Sequence, residues 1–137
     1  MQSEGFDLSR VIISHCEEAD AIDFERDKTL AKMGAWVMYD NWGFLEGWSP
    51  NHYVEADEVR ADLVKAFIEA GHADRLLLAA DVNLFRLGWQ RANPYVGNHG
   101  MEHLLRYAPG KLKRIGIKED LFWKIMTENP KQVIPIQ

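Results

Sequence analysis

The chain has 137 residues, 47% hydrophobic and 27% charged, with a formal net charge of −5. That is the size of one ordinary domain and the composition of a soluble globular protein. The acidic balance without a Lys/Arg block argues against a nucleic-acid surface, and no apolar run reaches the ~20 residues of a membrane helix.

The one cysteine, Cys16, leaves no internal disulfide and fits a reducing compartment. The first residues, Met-Gln-Ser-Glu-Gly-Phe-Asp, lack the charged-then-apolar pattern of a signal sequence, so the expected address is cytoplasmic.

In chain order, Met1–Ser9 is short and polar, a loop feeding a first strand at Arg10–Ser14 that runs into His15. Ala19–Met33 carries Ile22, Leu30 and Met33 among many charges and predicts a helix, stopped by Gly34. Ala35–Tyr39 predicts a second strand, ending on Asp40. Asp40–Ala56 is a long loop with Trp42, Phe44, Trp48 and Tyr53, too aromatic for a disordered linker. Asp57–Ala70 is the clearest helix, with Val59, Leu63, Phe67 and Ala70 at helical spacing, an acidic start and Gly71 behind it.

A third strand, Leu76–Ala80, lies in the apolar run Arg75–Asp81 and stops on Asp81. Unbroken runs of this kind suit strands buried on both faces of a parallel sheet. A second long loop, Asp81–Asn98, carries Phe85, Trp89 and Tyr95. Helical patterns return at His99–Tyr107, Lys111–Ile115 and Lys118–Thr127, with Asn129-Pro130 as a break. The order β-α-β-α-β-α, with right-handed crossovers, makes a parallel sheet of neighbours with two open edges. This is either a small three-layer fold or a piece of something larger.

Three strands ending on His15, Asp40 and Asp81 would bring those side chains to one mouth, where α/β folds place their chemistry. Imidazole and carboxylate are the ligands of hydrolytic zinc or manganese sites, and a carboxylate there could take a proton from an attacking water. The spacing leaves a second reading open, in which Asp40 and Asp81 cap turns and His15 is a hydrogen-bonded buried histidine. Cys16 has acidic neighbours Glu17, Glu18 and Asp20, which suits a structural thiol better than a nucleophile. His99 and His103 stand four apart but lack the intervening base of a zincin, and read as surface or packing histidines. His72 suits a helix C-terminus. His52 lies in the first aromatic loop. Trp42, Trp48 and Trp89, placed in loops, are candidates for an apolar substrate pocket, with core packing as the alternative.

Ser3-Glu4-Gly5, Arg10-Val11-Ile12-Ile13-Ser14-His15, Gly34 and the strand ending at Asp40 resemble the phosphotriesterase family of the amidohydrolase superfamily. So do Leu63–Ile68, Arg75–Asp81 and Glu128-Asn129-Pro130. Gly97–His103 and the Glu-Asn-Pro-Lys-Gln run at 128–132 are most similar to the phosphotriesterase-related branch.

The resemblance covers essentially the whole chain in order. It implies that residues 1–137 are the C-terminal (βα)3 portion, strands six to eight, of a TIM-type (β/α)8 barrel with a two-metal hydrolytic centre, the metal being a divalent ion such as zinc. His15 would ligate one metal. Asp81 would ligate the other and be the catalytic proton acceptor, and Asp40 would close strand seven near the mouth. Asn41 stands where the phosphotriesterases proper often carry a relay histidine and cannot titrate, while Glu18 would mark the relay's far end. The family's strand-one His-x-His, strand-four Lys or Glu and strand-five His have no counterpart.

A complete barrel needs about 250 residues. The resemblance therefore implies the C-terminal part of a metal-dependent hydrolase of a small-molecule lactone, ester, amide or phosphotriester, with lactones and amides ahead. The isolated chain is expected to be inactive, and either to need the missing N-terminal barrel half or to self-associate. The alternative is a non-catalytic truncated fragment, or a small α/β ligand-binding or interaction module.

Overall fold

The computed structural model describes residues 5, 7–17, 22–44, 56–81, 100 and 102–134. Three short strands, β1 (Ile12–Ile13), β2 (Trp36–Tyr39) and β3 (Leu76–Leu78), form one parallel sheet in sequence order. Ile12 pairs with Trp36 and Ile13 with Val37; Val37, Met38 and Tyr39 pair with Leu76, Leu77 and Leu78. Between and after them come the helices α1 (Phe24–Lys32), α2 (Asp57–Glu69), α3 (His103–Arg114) and α4 (Glu119–Val133). The α/β class and the strand order agree with the sequence reading. No helix among the described residues is long and apolar enough to cross a membrane.

The strand period of two sorts side chains between two faces. Val37, Tyr39, Leu76 and Leu78, with Ile13, join the main core against the helices; Trp36, Leu77, Ile12 and Met38 form a smaller cluster with Val133. This two-sided burial is why all three strands read as continuous apolar runs.

α1 begins at Phe24, five residues later than expected, because Asp23 caps it by accepting a hydrogen bond from the Arg26 N–H at 2.9 Å. α2 keeps its expected start, but its buried stripe is Asp57, Arg60, Ala61, Val64 and Phe67. The stripe is turned by about a residue from the apolar pattern and carries an arginine inside it.

The two predicted interruptions near the C-terminus do not occur. α3 runs unbroken through Pro109-Gly110, with Leu104, Ala108 and Leu112 buried at a spacing of four. α4 continues through Pro130 to Val133, where Phe122, Ile125, Asn129 and Val133 face inward. An interior proline costs a helix about 3 kcal/mol, and buried residues on both sides of each proline offset that cost. Asn129 adds an anchor, its Nδ2 donating to the carbonyls of Ala73 at 2.8 Å and Leu76 at 2.7 Å.

Candidate active site

The carboxyl ends of the three strands lie at one edge of the sheet. Hydrogen bonds carry the ladder slightly past them: Cys16 N–H to the Met38 carbonyl at 3.4 Å, Ala79 N–H to Tyr39 at 3.2 Å, and Trp42 N–H to Ala79 at 3.3 Å. His15, Asp40 and Asp81 therefore emerge on the same side, as their positions in sequence predict. His15 and Asp81 are the two non-glycine residues among those described with positive φ, 58° and 43°. Backbone of that kind costs an L-residue roughly 1 kcal/mol or more and clusters at functional sites.

Asp40 is buried and bound to His15 twice. One of its oxygens, Oδ1, accepts the His15 backbone N–H at 3.0 Å and lies 2.9 Å from the ring Nδ1. A carboxylate oxygen only accepts, so a hydrogen bond across this contact is one that Nδ1–H donates. Asn41 Nδ2 stands 3.4 Å from the same ring nitrogen. Burial raises the pKa of Asp40 and the like charge of Asp81 pushes the same way, against the opposing pull of His15. Asp81 is half-buried and His15 is exposed.

Beneath this edge lies a set of buried polar side chains, of which the sequence reading singled out His103 alone, as a surface or packing histidine. Glu17 is fully buried, and its Oε1 accepts the backbone N–H of Asn41. Burial, then the charge of Asp40, raises its pKa to about 7 against the Asn41 hydrogen bond. Asp57, at the start of α2, accepts the Gly43 N–H at 2.9 Å and Arg60 Nη1 at 2.8 Å through Oδ1. Its Oδ2 lies 2.6 Å from His103 Nε2 on α3. Burial would raise the Asp57 pKa, but the Gly43 and His103 hydrogen bonds and the Arg60 charge outweigh it and hold the carboxyl below its ordinary value. The sequence signals for this set were the acidic start of α2 and the packing reading of His103; Glu17 stood out only as an acidic neighbour of Cys16.

Of the remaining candidates, Cys16, His103 and His72 take the places read for them, and Trp42 takes its alternative one. Cys16 is buried, and burial, with Asp27 next, pushes its pKa up to about 12, which suits a structural thiol and not a nucleophile. Trp42, expected to line a substrate pocket, is fully buried in the main core. Its N–H belongs to the ladder extension, and its ring packs inward. His103 is a packed histidine bonded to Asp57, and His72 follows α2 with its ring 5.5 Å from that of Phe67. Glu18, Trp48, Trp89, His52 and His99 lie outside the described residues.

Among the described residues, no three His, Cys, Asp or Glu side chains converge so as to hold a metal ion. His15 and Asp81 are two suitable donors, fewer than the three or four protein ligands of zinc sites. The described residues of this chain do not by themselves fit a metal centre.

The sequence profile of the phosphotriesterase family matches residues 1–134. The chain is 30% identical over 135 residues to N-acetyltaurine hydrolase of Bos taurus and 31% identical over 137 residues to that of Xenopus tropicalis. In each case it covers 96% of this chain but 37% of the relative. Among solved structures, a resiniferatoxin-binding protein from Rhodobacter sphaeroides superposes with a TM-score of 0.80 at 25% identity, over 96% of this chain and 36% of that one. A phosphotriesterase homology protein from Escherichia coli, complexed with phosphate in its active site, superposes with a TM-score of 0.73 at 28% identity, over 96% and 40%. The chain thus spans less than half the length of the proteins it matches, and its α/β fold corresponds to a C-terminal part of their barrel.

Proposed function

Since this chain belongs to the phosphotriesterase family, we propose that it is the three-strand end of a metal-dependent hydrolase, inactive until the remaining strands of the barrel complete the centre. The observation that carries this reading is the meeting of His15, Asp40 and Asp81 at the carboxyl ends of three parallel strands, two of them in left-handed backbone.

In the complete barrel His15 and Asp81 would be donors to divalent ions, zinc in this reading, which would supply Lewis acidity toward the scissile group. The chain's own residues do the orienting. Asp40 fixes the His15 ring with its proton on Nδ1, so that Nε2 is the nitrogen offered outward. Asp81, half-buried at the mouth, is the carboxylate placed to take a proton from an attacking water. Asn41 cannot titrate, so no proton leaves the mouth through its side chain. The substrate class is a small amide or lactone, supported by the N-acetyltaurine hydrolases among its relatives.

The incomplete donor set among the described residues favours a second reading for the chain on its own, a non-catalytic fragment or α/β interaction module. One pair of assays separates the two. The 137-residue chain and a chimaera carrying it in place of the matching part of the Escherichia coli homologue are both loaded with zinc. They are then assayed on N-acyl amides and lactones. Turnover by the chimaera alone, abolished by Asp81→Ala, is expected. An inactive but folded chimaera would overturn the hydrolase reading. Turnover by the chain alone would overturn its inactivity.

A further inference from the structure

The loop after β2 is held from beneath by two different carboxylates. The Asn41 N–H donates to Glu17 and, two residues on, the Gly43 N–H donates to Asp57 at 2.9 Å. Arg60 lies between those carboxylates, with Nη1 2.8 Å from Asp57 Oδ1 and Nε 4.0 Å from Glu17 Oε1. His103 closes the far side of Asp57 at 2.6 Å. All four side chains are buried.

Such a cluster is a poor way to gain stability alone, because each buried ion costs several kcal/mol in desolvation and an apolar core of the same volume often does as well. Its geometry has one evident product. It fixes alternate N–H groups of the segment whose first residue, Asp40, binds both the backbone and the ring of His15. The fit is close: Gly43 has φ +83°, and a Cβ there would stand 2.7 Å from His103 Cδ2. The loop rests directly on the imidazole face, with room for hydrogen only.

We propose that Glu17, Asp57 and Arg60 are positioning residues, a buried clamp that sets the segment from Asp40 to Gly43 so that Asp40 meets His15. The clamp touches no substrate. It acts through the backbone of Asn41 and Gly43, and so ties the orientation of His15 to α2 and, by way of His103, to α3. The importance of that orientation for hydrolysis rests on the reading above, but the clamp itself can be tested without any turnover.

The test uses Asp57→Asn, Arg60→Lys and a control, Asp27→Asn, in the 137-residue chain. Asp27 is also buried and hydrogen-bonded, but it sits on α1 and its bonds go to Tyr39 and Arg26, not to the Asn41 or Gly43 N–H. Amide hydrogen exchange is read at Asn41 and Gly43, and the His15 ring resonances by NMR. Asp57→Asn, which takes the charge from the Gly43 acceptor, and Arg60→Lys, which takes away that acceptor's guanidinium anchor, are expected to speed Gly43 exchange by about tenfold or more and to shift the His15 ring signals. Asp27→Asn is expected to leave both in place. Unchanged His15 signals in folded Asp57→Asn and Arg60→Lys would overturn the proposal, as would equal shifts from Asp27→Asn. Loss of folding in both clamp variants would overturn it too, since a cluster the whole core depends on is no device for the mouth.

Discussion

A single oxygen of Asp40 serves both the main chain and the ring of His15, at 3.0 Å from N and 2.9 Å from Nδ1. His15 has left the strand direction with φ at 58°. The carboxylate thus holds a residue whose backbone the chain would otherwise relax, and it does so across 25 residues of sequence.

Asp40→Ala should therefore release His15 in both respects. We expect a loss of about 1.5–3 kcal/mol, as for a hydrogen bond to a charged group, with His15 ring signals approaching those of a mobile exposed histidine. Urea unfolding and NMR on the same sample check the two parts. Asp40→Asn, which keeps an acceptor for the backbone N–H, should lose less.

Asp81→Gly should make the chain more stable while removing the proposed catalytic carboxylate. Glycine adopts φ of 43° without the side-chain penalty, and the substitution also removes the like charge facing Asp40. A gain of up to about 1 kcal/mol is expected, seen as a raised Tm. A lowered Tm would show that Asp81 supports the fold instead of straining it.

Gly43→Ala should destabilise by about 2 kcal/mol or more, from the left-handed φ of +83° and the 2.7 Å approach to His103. The steric part should vanish where the imidazole is gone. In a double-mutant cycle with His103→Ala, the combined loss should thus be smaller than the sum of the two single losses.

Two carboxyls shifted in opposite directions set two pH windows for stability. Glu17 has its folded pKa raised from 4.5 to about 7, so its contribution is complete below 4.5 and is lost as pH rises through 7. Asp57 is held below 3.8, so its contribution is present above that value and is lost as pH falls through the folded pKa. Urea midpoints measured from roughly pH 3 to 8 should show Glu17→Gln flattening the upper limb and Asp57→Asn flattening the acid limb.

The mouth was readable from the sequence because its residues follow apolar runs directly, so His15, Asp40 and Asp81 needed only strand direction to be placed. The clamp was not readable. Arg60 sits beside apolar positions of α2 with nothing in its neighbours to mark it as buried; only the fold brings Glu17, 43 residues back, within 4.0 Å of it. The acidic start of α2 gave a reason to place Asp57 near a helix dipole, and none to pair it with His103. Pro109 and Pro130 read as breaks because local propensity favours one there, whereas Ala108, Leu112 and Asn129 are decided by burial. Trp42 read as loop because aromatic residues after a strand carry no mark of which way the turn will take them.

The Asn129 side chain has a consequence in time. It bonds the carbonyls of Ala73 and Leu76 across 56 and 53 residues, fastening the beginning of β3. A ribosome adding ~5–20 residues per second needs roughly 3–10 s to cover that interval. Throughout that time β3 can pair with β2, but its amino end lacks the two bonds from Asn129. The last strand of the sheet is thus secured late in synthesis, after its neighbours, by a residue from the final helix.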